Sequence, residues 1–265
     1  MGPQAKSPPL LQSYKALGVI PARYGSTRFP GKVLRELHGR PLVEWVWRQA
    51  KKARSLEDVW IATDDERVAA AARLFGARAV MTSSGCATGG DRVAEAVAAV
   101  DVELVANIQG DEPQIDPEVI DRAVEALRKD PEAWAATACV RIRRRADFQS
   151  PHVVKVVLDR RGRALYFSRS PLPSLARVED NGRPEEMPVA AYKHIGFYVY
   201  RKEALMAFSR LPRSPLEQIE NLEQLRYLEN GHAIQVVEAR RDMIGVDTPE
   251  ELDRLAQIFH PELGP

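Results

Sequence analysis

The chain has 265 residues, with 38 basic and 37 acidic side chains and a formal net charge of +1. A hydrophobic share of 45% against 28% charged is ordinary for a globular enzyme, and a chain this long buries about 70–75% of its unfolded surface without a staple. Balanced charge excludes a chain-wide field for nucleic acid or an anionic membrane, and two cysteines (Cys86, Cys139) exclude a disulfide framework and a four-cysteine zinc site.

Residues 1–15 lack the apolar core of a signal peptide and read as a flexible extension. No run approaches 18 apolar residues, so no spanning helix is expected, and a reduced, cytoplasmic setting is the simplest expectation. From there the chain alternates. Ala16–Ala22 is an apolar run without polar alternation, as in a strand buried on both faces, and Pro41–Ala53 carries Leu42, Val43, Val46 and Ala50 at helical spacing. Val59–Thr63 predicts a strand, Glu66–Phe75 a helix closed by Gly76, Ala79–Met81 a strand and Asp91–Val100 a helix. Leu104–Gln109, Pro117–Lys129 and Ala135–Val140 continue as strand, helix and strand. Such alternation specifies an α/β fold, a mostly parallel sheet with helices on both faces.

The pattern breaks after Arg145. Lys155–Leu158 and Ala164–Ser168, joined by Asp159–Gly162, read as an antiparallel hairpin, followed by a proline-rich loop and a strand at His194–Tyr200. Leu216–Asn230 reads as one helix ended by Gly231, Ala233–Val237 as a strand, and Pro249–Phe259 as a closing helix that Asp247 or Thr248 can cap. The basic run Arg141–Arg145 reads as a solvated connection.

Ligands of open α/β sheets bind beyond the C-terminal ends of the strands, so the polar residues there are the candidates. The first set, Arg23 to Lys32 (RYGSTRFPGK), follows the first strand. Its glycines and proline shape a tight loop whose N–H groups can face an anion, and Arg23, Arg28 and Lys32 add charge suited to a polyphosphate. The bland reading is a solvated basic turn. It is not a Walker A loop, and no GxGxxG follows any strand. Asp111 and Asp247, each at the end of an apolar segment, can hold Mg²⁺ together or act as turn formers and caps.

IPARYGSTRFPGK, TGGDR, NIQGDEP, YFSR, KHIGFY, SPLEQIENLEQLR and GVDTPEEL occur in this order across about 230 residues. Together they closely resemble the 3-deoxy-manno-octulosonate (KDO) cytidylyltransferases of lipopolysaccharide assembly. The resemblance implies a three-layer, nucleotide-diphospho-sugar-transferase-like (Rossmann-like) fold with a smaller antiparallel lobe. Residues 16–145 and 232–265 would form the nucleotide-binding core, and about 146–231 a lobe for sugar binding and for joining a homodimer. It implies that CTP and KDO give CMP-KDO and pyrophosphate with Mg²⁺, without nucleic acid or membrane partners. Arg23, Lys32, Asp111 and Asp247 would be catalytic, the two aspartates holding the metal. Pro21, Ala22, Ser26, Arg28, Gly89, Asp91 and Arg92 would join Arg23 and Lys32 around the nucleotide. Gln109, Arg169, His194 and Glu217 would meet the sugar, with Arg169 as a fork for its carboxylate. One departure stands in TGGDR, where Gly90 replaces the family's usual threonine and its hydroxyl. Two other readings share the fold: transfer to another acid sugar, and a silent nucleotide-binding subunit, against which the intact Arg23, Lys32, Asp111 and Asp247 argue.

Overall fold

Uninterrupted apolar runs make the central strands of this protein, whose computed structural model describes residues 13–25, 29–178, 187 and 189–259. Ser26 and Arg28 lie outside the described residues, as do residues 1–12 of the expected extension. The first strand, β1 (Ser13–Pro21), begins three residues earlier than the apolar run suggested, because Tyr14 is buried and edge-packed on Trp60.

A 3-10 turn (Lys32–Leu34) and a two-residue hairpin of β2 (Glu36–Leu37) and β3 (Arg40–Pro41) follow, with His38 and Gly39 both at positive φ, as a primed hairpin turn requires. Then come α1 (Leu42–Ala50), β4 (Asp58–Thr63), α2 (Glu66–Leu74), β5 (Arg78–Met81), α3 (Gly89–Val97), β6 (Asp101–Asn107), α4 (Pro117–Lys129) and β7 (Ala133–Arg141). The second half comprises α5 (Arg145–Gln149), β8 (Lys155–Leu158), β9 (Ala164–Ser168), β10 (Tyr192–Arg201), α6 (Lys202–Phe208), α7 (Pro215–Glu220), α8 (Leu225–Glu229), β11 (Ala233–Glu238) and α9 (Pro249–Ile258).

The nine-stranded sheet runs β11-β7-β10-β6-β1-β4-β5, with β8 and β9 attached through β10. Its pairings are parallel except those of β10, which is antiparallel to β6, β7 and β8, and the antiparallel β8–β9 hairpin. Side chains alternate across β1. Ala16, Ile20 and Ala22 pack with α1, α2 and α4 on one face, and Leu17 and Val19 with α3, α6 and α8 on the other. This is the expected three-layer α/β architecture.

Three details differ from the sequence reading. The span 216–230 is not one helix: Asn221 adopts the left-handed region at φ 53, which ends α7 and lets α8 restart at Leu225. Residues 145–149 and 202–208, where the sequence reading placed no element, form short helices. Within the stretch assigned to a lobe, β10 lies in the body of the sheet between β7 and β6, so only the β8–β9 hairpin and its loops stand off it.

The hairpin is tied down by buried charge. Lys155 is fully buried, its ammonium donating to the carbonyls of Ser150, Val153 and Arg169 at 2.9, 2.6 and 2.5 Å. Asp130, ending α4, takes a bidentate fork from Arg163 (2.7 and 2.6 Å) and an amide hydrogen from Gln235 of β11 (2.6 Å). Arg163 above all, with Gln235, holds the Asp130 carboxyl down to about 2. A carboxylate with a lowered folded pKa adds stability that is present above its unfolded value near 4 and lost as pH falls through about 2. Asp130→Asn is therefore expected to lose about 2 kcal/mol at pH 7, with the gap to wild type closing between pH 4 and pH 2, as read by urea melts across that range.

Candidate active site

The sheet order sets the site. From β1 the chain moves outward to β4 and β5, then returns to lay β6 on the other side of β1. The crevice beyond the ends of β1 and β6 is the switch point where such sheets bind ligands. The two strand ends approach closely: a Cβ on Gly110 would sit 3.1 Å from the Pro21 carbonyl.

Lys32 enters this crevice from the 3-10 turn, after Gly31 reverses the chain at φ 69. It is 9% exposed, and its ammonium donates to Asp111 Oδ2 at 2.5 Å and Asp247 Oδ1 at 2.8 Å. Burial opposes its charge, but the two carboxylates outweigh burial and raise its pKa above the ordinary lysine value. Asp111 follows β6, and Asp247 arrives from the far end of the chain. The Val246 N–H donates to the Asp111 carbonyl at 3.0 Å, and the Asp247 N–H donates to Glu251 Oε2 at 2.7 Å. Thr248, not Asp247, caps α9, so the Asp247 carboxylate faces Lys32. Phe259 of the same segment packs edge-on against Trp45 of α1, anchoring it to the core.

Around this centre lies a cleft of about 410 Å³ that includes Pro21, Arg23, Lys32, Gly89, Arg92, Gln109, Asp111 and Asp247 in its walls. The structure thus brings together residues expected from four distant segments. Arg92 is 4% exposed and fixed by Thr82 Oγ1 at 2.6 Å and Asp64 at 3.2 Å. Ala22 is buried behind the wall, and Asp91 closes the capping box with Thr88 that starts α3. Cys86 also lines the cleft. Burial, then its bond to Glu95, pushes the thiol up to about 11, so it stays protonated at neutral pH.

A second compartment of about 300 Å³ adjoins the first, sharing Thr88, Gly89, Gln109 and Glu223 with it. His194 and Gln109 are in its walls as expected, and a register shift in β10 between Ile195 and Tyr198 opens the strand beside it. Thr137 Oγ1 lies 2.6 Å from the Phe197 carbonyl, to which it donates, so it accepts from His194 Nε2 at 3.0 Å. Burial pushes the imidazole down to about 3, which leaves it neutral with Nδ1 as an acceptor.

Two of the expected sugar contacts lie elsewhere. Arg169 donates from Nε to the Glu220 carbonyl (2.9 Å) and from Nη1 to the Pro151 carbonyl (3.2 Å), and lines neither compartment. Glu217 is 6% exposed, caps α7 through Ser214 and is ion-paired with Arg226. The carboxylate that reaches both compartments is Glu223, six residues on, past the break at Asn221. Sequence reasoning also missed Asn107 and Gln224. Both line the second compartment with a buried, unpartnered polar atom, Asn107 Oδ1 and Gln224 Nε2. Such atoms are costly to bury unpaired. The paired Leu-Glu of LEQIENLEQ is the sequence signal for Glu223, since the motif offers two glutamates at equivalent places.

Among the described residues no three His, Cys, Asp or Glu side chains converge as a metal cluster, and no helix is long and apolar enough to cross a membrane. Two carboxylates meeting at one cationic position beside a phosphate-sized cleft do fit a hard divalent ion that takes its other ligands from phosphate and water.

A mostly parallel sheet whose switch point holds a lysine between two carboxylates, next to a second compartment lined by both polar and aromatic side chains, is the frame of an α/β nucleotidyltransferase. The chain belongs to the cytidylyltransferase family, which its residues 17–235 match. It is 51% identical over 247 residues to the 3-deoxy-manno-octulosonate cytidylyltransferase of Geobacter metallireducens, over 92% of this chain and 97% of that protein. It is 48% identical to the enzyme of the same name from Geotalea daltonii, over 92% and 97%. Its fold superposes with a TM-score of 0.86 on a CMP:2-keto-3-deoxy-manno-octonic acid synthetase complexed with CTP, at 40% identity, covering 92% of this chain and 98% of that one.

Lys32→Ala is expected to lower kcat/KM for CTP on the order of a hundredfold, and Lys32→Arg not to restore it, because a planar guanidinium cannot replace a point charge between two carboxylates. Circular dichroism of the same samples checks that the fold survives. Gly90 lines only the second compartment, and a Cβ there meets nothing nearer than Thr88 Oγ1 at 3.6 Å. Gly90→Thr should therefore fold normally and change the KM for the acceptor more than the preference for CTP over UTP, which parallel steady-state assays with both nucleotides would show.

Proposed function

We propose that this enzyme transfers CMP from CTP to KDO, releasing pyrophosphate, and so supplies an activated sugar for lipopolysaccharide assembly. The observation that carries the reading is the shared wall of the two compartments. A nucleotide held by Arg23, Lys32 and Arg92 ends where the polar acceptor chamber begins, at Gln109 and Glu223. The 40% identical relative in complex with CTP supports the nucleotide half, and the names of the relatives support the acceptor.

The acceptor's anomeric hydroxyl attacks the α-phosphorus, its oxygen forming the new P–O bond as the bond to the β-phosphate oxygen breaks in line. Catalysis is then positioning and charge neutralisation. Arg23 and Lys32 oppose the charge that grows on the departing pyrophosphate. Neutral His194, Asn107 and Gln224 offer hydrogen bonds to sugar hydroxyls without the desolvation cost of a charge. Asp111 and Asp247 would hold Mg²⁺, which when bound neutralises phosphate oxygens and acidifies a neighbouring hydroxyl. Arg23, Lys32, Asp111 and Asp247, brought into one cleft, support an active enzyme over a silent subunit.

A homodimer joined through the hairpin is supported by β9, which among the described residues pairs only with β8 and exposes Leu165 by 62%. A cytoplasmic setting is supported by the free thiols of Cys86 and Cys139. The test is pyrophosphate release from CTP with KDO and Mg²⁺, with parallel reactions lacking metal, lacking KDO, or offering other acid sugars. Release that needs both KDO and the metal is expected; release only with another acid sugar reassigns the acceptor. Asp111→Asn should cost on the order of a hundredfold or more in turnover in protein that still folds, with a lowered melting temperature because Lys32 loses one of its two charged partners, and undiminished turnover would remove its metal role.

A further inference from the structure

The loop that delivers Arg23 and Lys32 is fastened from outside the cleft. Its flanks meet where the Gly31 N–H donates to the Tyr24 carbonyl at 3.0 Å. Gly31 lies at positive φ, and a Cβ there would stand 3.0 Å from Tyr24 Cζ, so the tyrosine ring and the glycine backbone are in direct contact. The ring is covered in turn by the Arg67 guanidinium, whose Cζ is 3.4 Å from the ring centre. Arg67 is itself held in a fork by Asp65, Nε to Oδ1 at 2.9 Å and Nη2 to Oδ2 at 2.6 Å. Asp65 caps α2 by accepting the Arg67 N–H at 2.9 Å, and its own N–H donates to Thr63 Oγ1 at the end of β4. The series Thr63, Asp65, Arg67, Tyr24, Gly31 thus links the end of β4 to the loop.

Tyr24, Arg67 and Asp65 line neither compartment, and the Arg67 side chain is 62% exposed. An exposed ion pair contributes little to stability, so this arrangement is poorly explained as a prop for the fold. What it does fix is orientation. Arg23 is bonded to Tyr24 and Lys32 to Gly31, and both cations line the nucleotide cleft. A loop free to wander would have to be ordered each time a triphosphate binds, and preorganisation removes that cost.

We propose that Arg67 and Tyr24 are positioning residues for the triphosphate, forming a pin that sets where Arg23 and Lys32 stand before the nucleotide arrives. The pin rests on the nucleotide reading above and adds a control to it: nucleotide affinity is set partly by a stacked cation on α2 that never touches the ligand. The stack needs a planar cation on an aromatic ring. Tyr24→Phe keeps it, and Arg67→Lys, which loses both the plane and the fork, does not.

The experiment measures CTP affinity calorimetrically without acceptor, on wild type, Arg67→Ala, Arg67→Lys, Tyr24→Phe, Tyr24→Leu and the Arg67→Ala/Tyr24→Leu double variant, with KM for both substrates and a melting curve for each. Arg67→Ala and Arg67→Lys should weaken CTP binding by about two- to fivefold, with the acceptor KM and the melting temperature unchanged. Tyr24→Phe should bind as wild type, and the double variant no more weakly than Tyr24→Leu alone. Wild-type CTP affinity in Arg67→Ala overturns the pin, as does a loss spread equally over both substrates together with a lower melting temperature, which marks a structural role. Failure of wild type to bind CTP would instead overturn the nucleotide reading itself, and the two failures are told apart by the wild-type titration.

Discussion

A buried ammonium needs partners, and the arrangement of this enzyme follows from giving Lys32 two. Removing a lysine from water is unfavourable unless opposite charge and hydrogen bonds replace the solvent. Asp111 and Asp247 supply both, one from the end of β6 and one from a segment 136 residues further along the chain. The parallel pairing of β1 with β6 sets the first partner beside the loop that carries Lys32. The second is set by the bond between Val246 and the Asp111 backbone and by the packing of α9 on α1. The N-terminal and C-terminal parts of the chain are therefore locked together at the point where chemistry is proposed.

The same three groups suit a polyphosphate. Two carboxylates and a lysine leave a local charge of −1, which a divalent ion inverts and which the neighbouring Arg23 and Arg92 further offset. Both carboxylates accept from the one Lys32 ammonium, Asp111 through Oδ2 and Asp247 through Oδ1, and the Asp247 backbone is held separately by Glu251. Capping and ligand placement are divided between adjacent residues, Thr248 and Asp247, rather than competing for one side chain.

The strands and first helices were legible because their signals are local. An apolar run such as LVANIQ can only be a strand buried on both faces, and Pro117 after Asp116 begins a helix by ordinary capping chemistry. The break at Asn221 was not, since no glycine or proline interrupts residues 216–230 and only a tertiary preference selects the left-handed turn. That one turn explains the reassignment from Glu217 to Glu223: it swings the second glutamate toward the cleft and leaves the first to Arg226. The nucleotide half was legible as basic and acidic residues after strands. The acceptor half was not, because Asn107 and Gln224 are neutral and gain meaning only when the fold brings them into one wall.

That contrast follows from what each half has to bind. A triphosphate carries charge that must be opposed, so its cleft is built from arginine, lysine and aspartate, which stand out in any sequence. The hydroxyls of an acid sugar are neutral, and a buried charge facing them would cost more in desolvation than a hydroxyl returns. The chamber therefore keeps its histidine neutral: burial lowers the pKa of His194, and the Thr137 hydroxyl, already donating to the Phe197 carbonyl, accepts the Nε2 proton and fixes the tautomer. Charge in the first compartment and a neutral histidine in the second suit the two unlike substrates proposed, with Gln109 and Glu223 in the wall the compartments share.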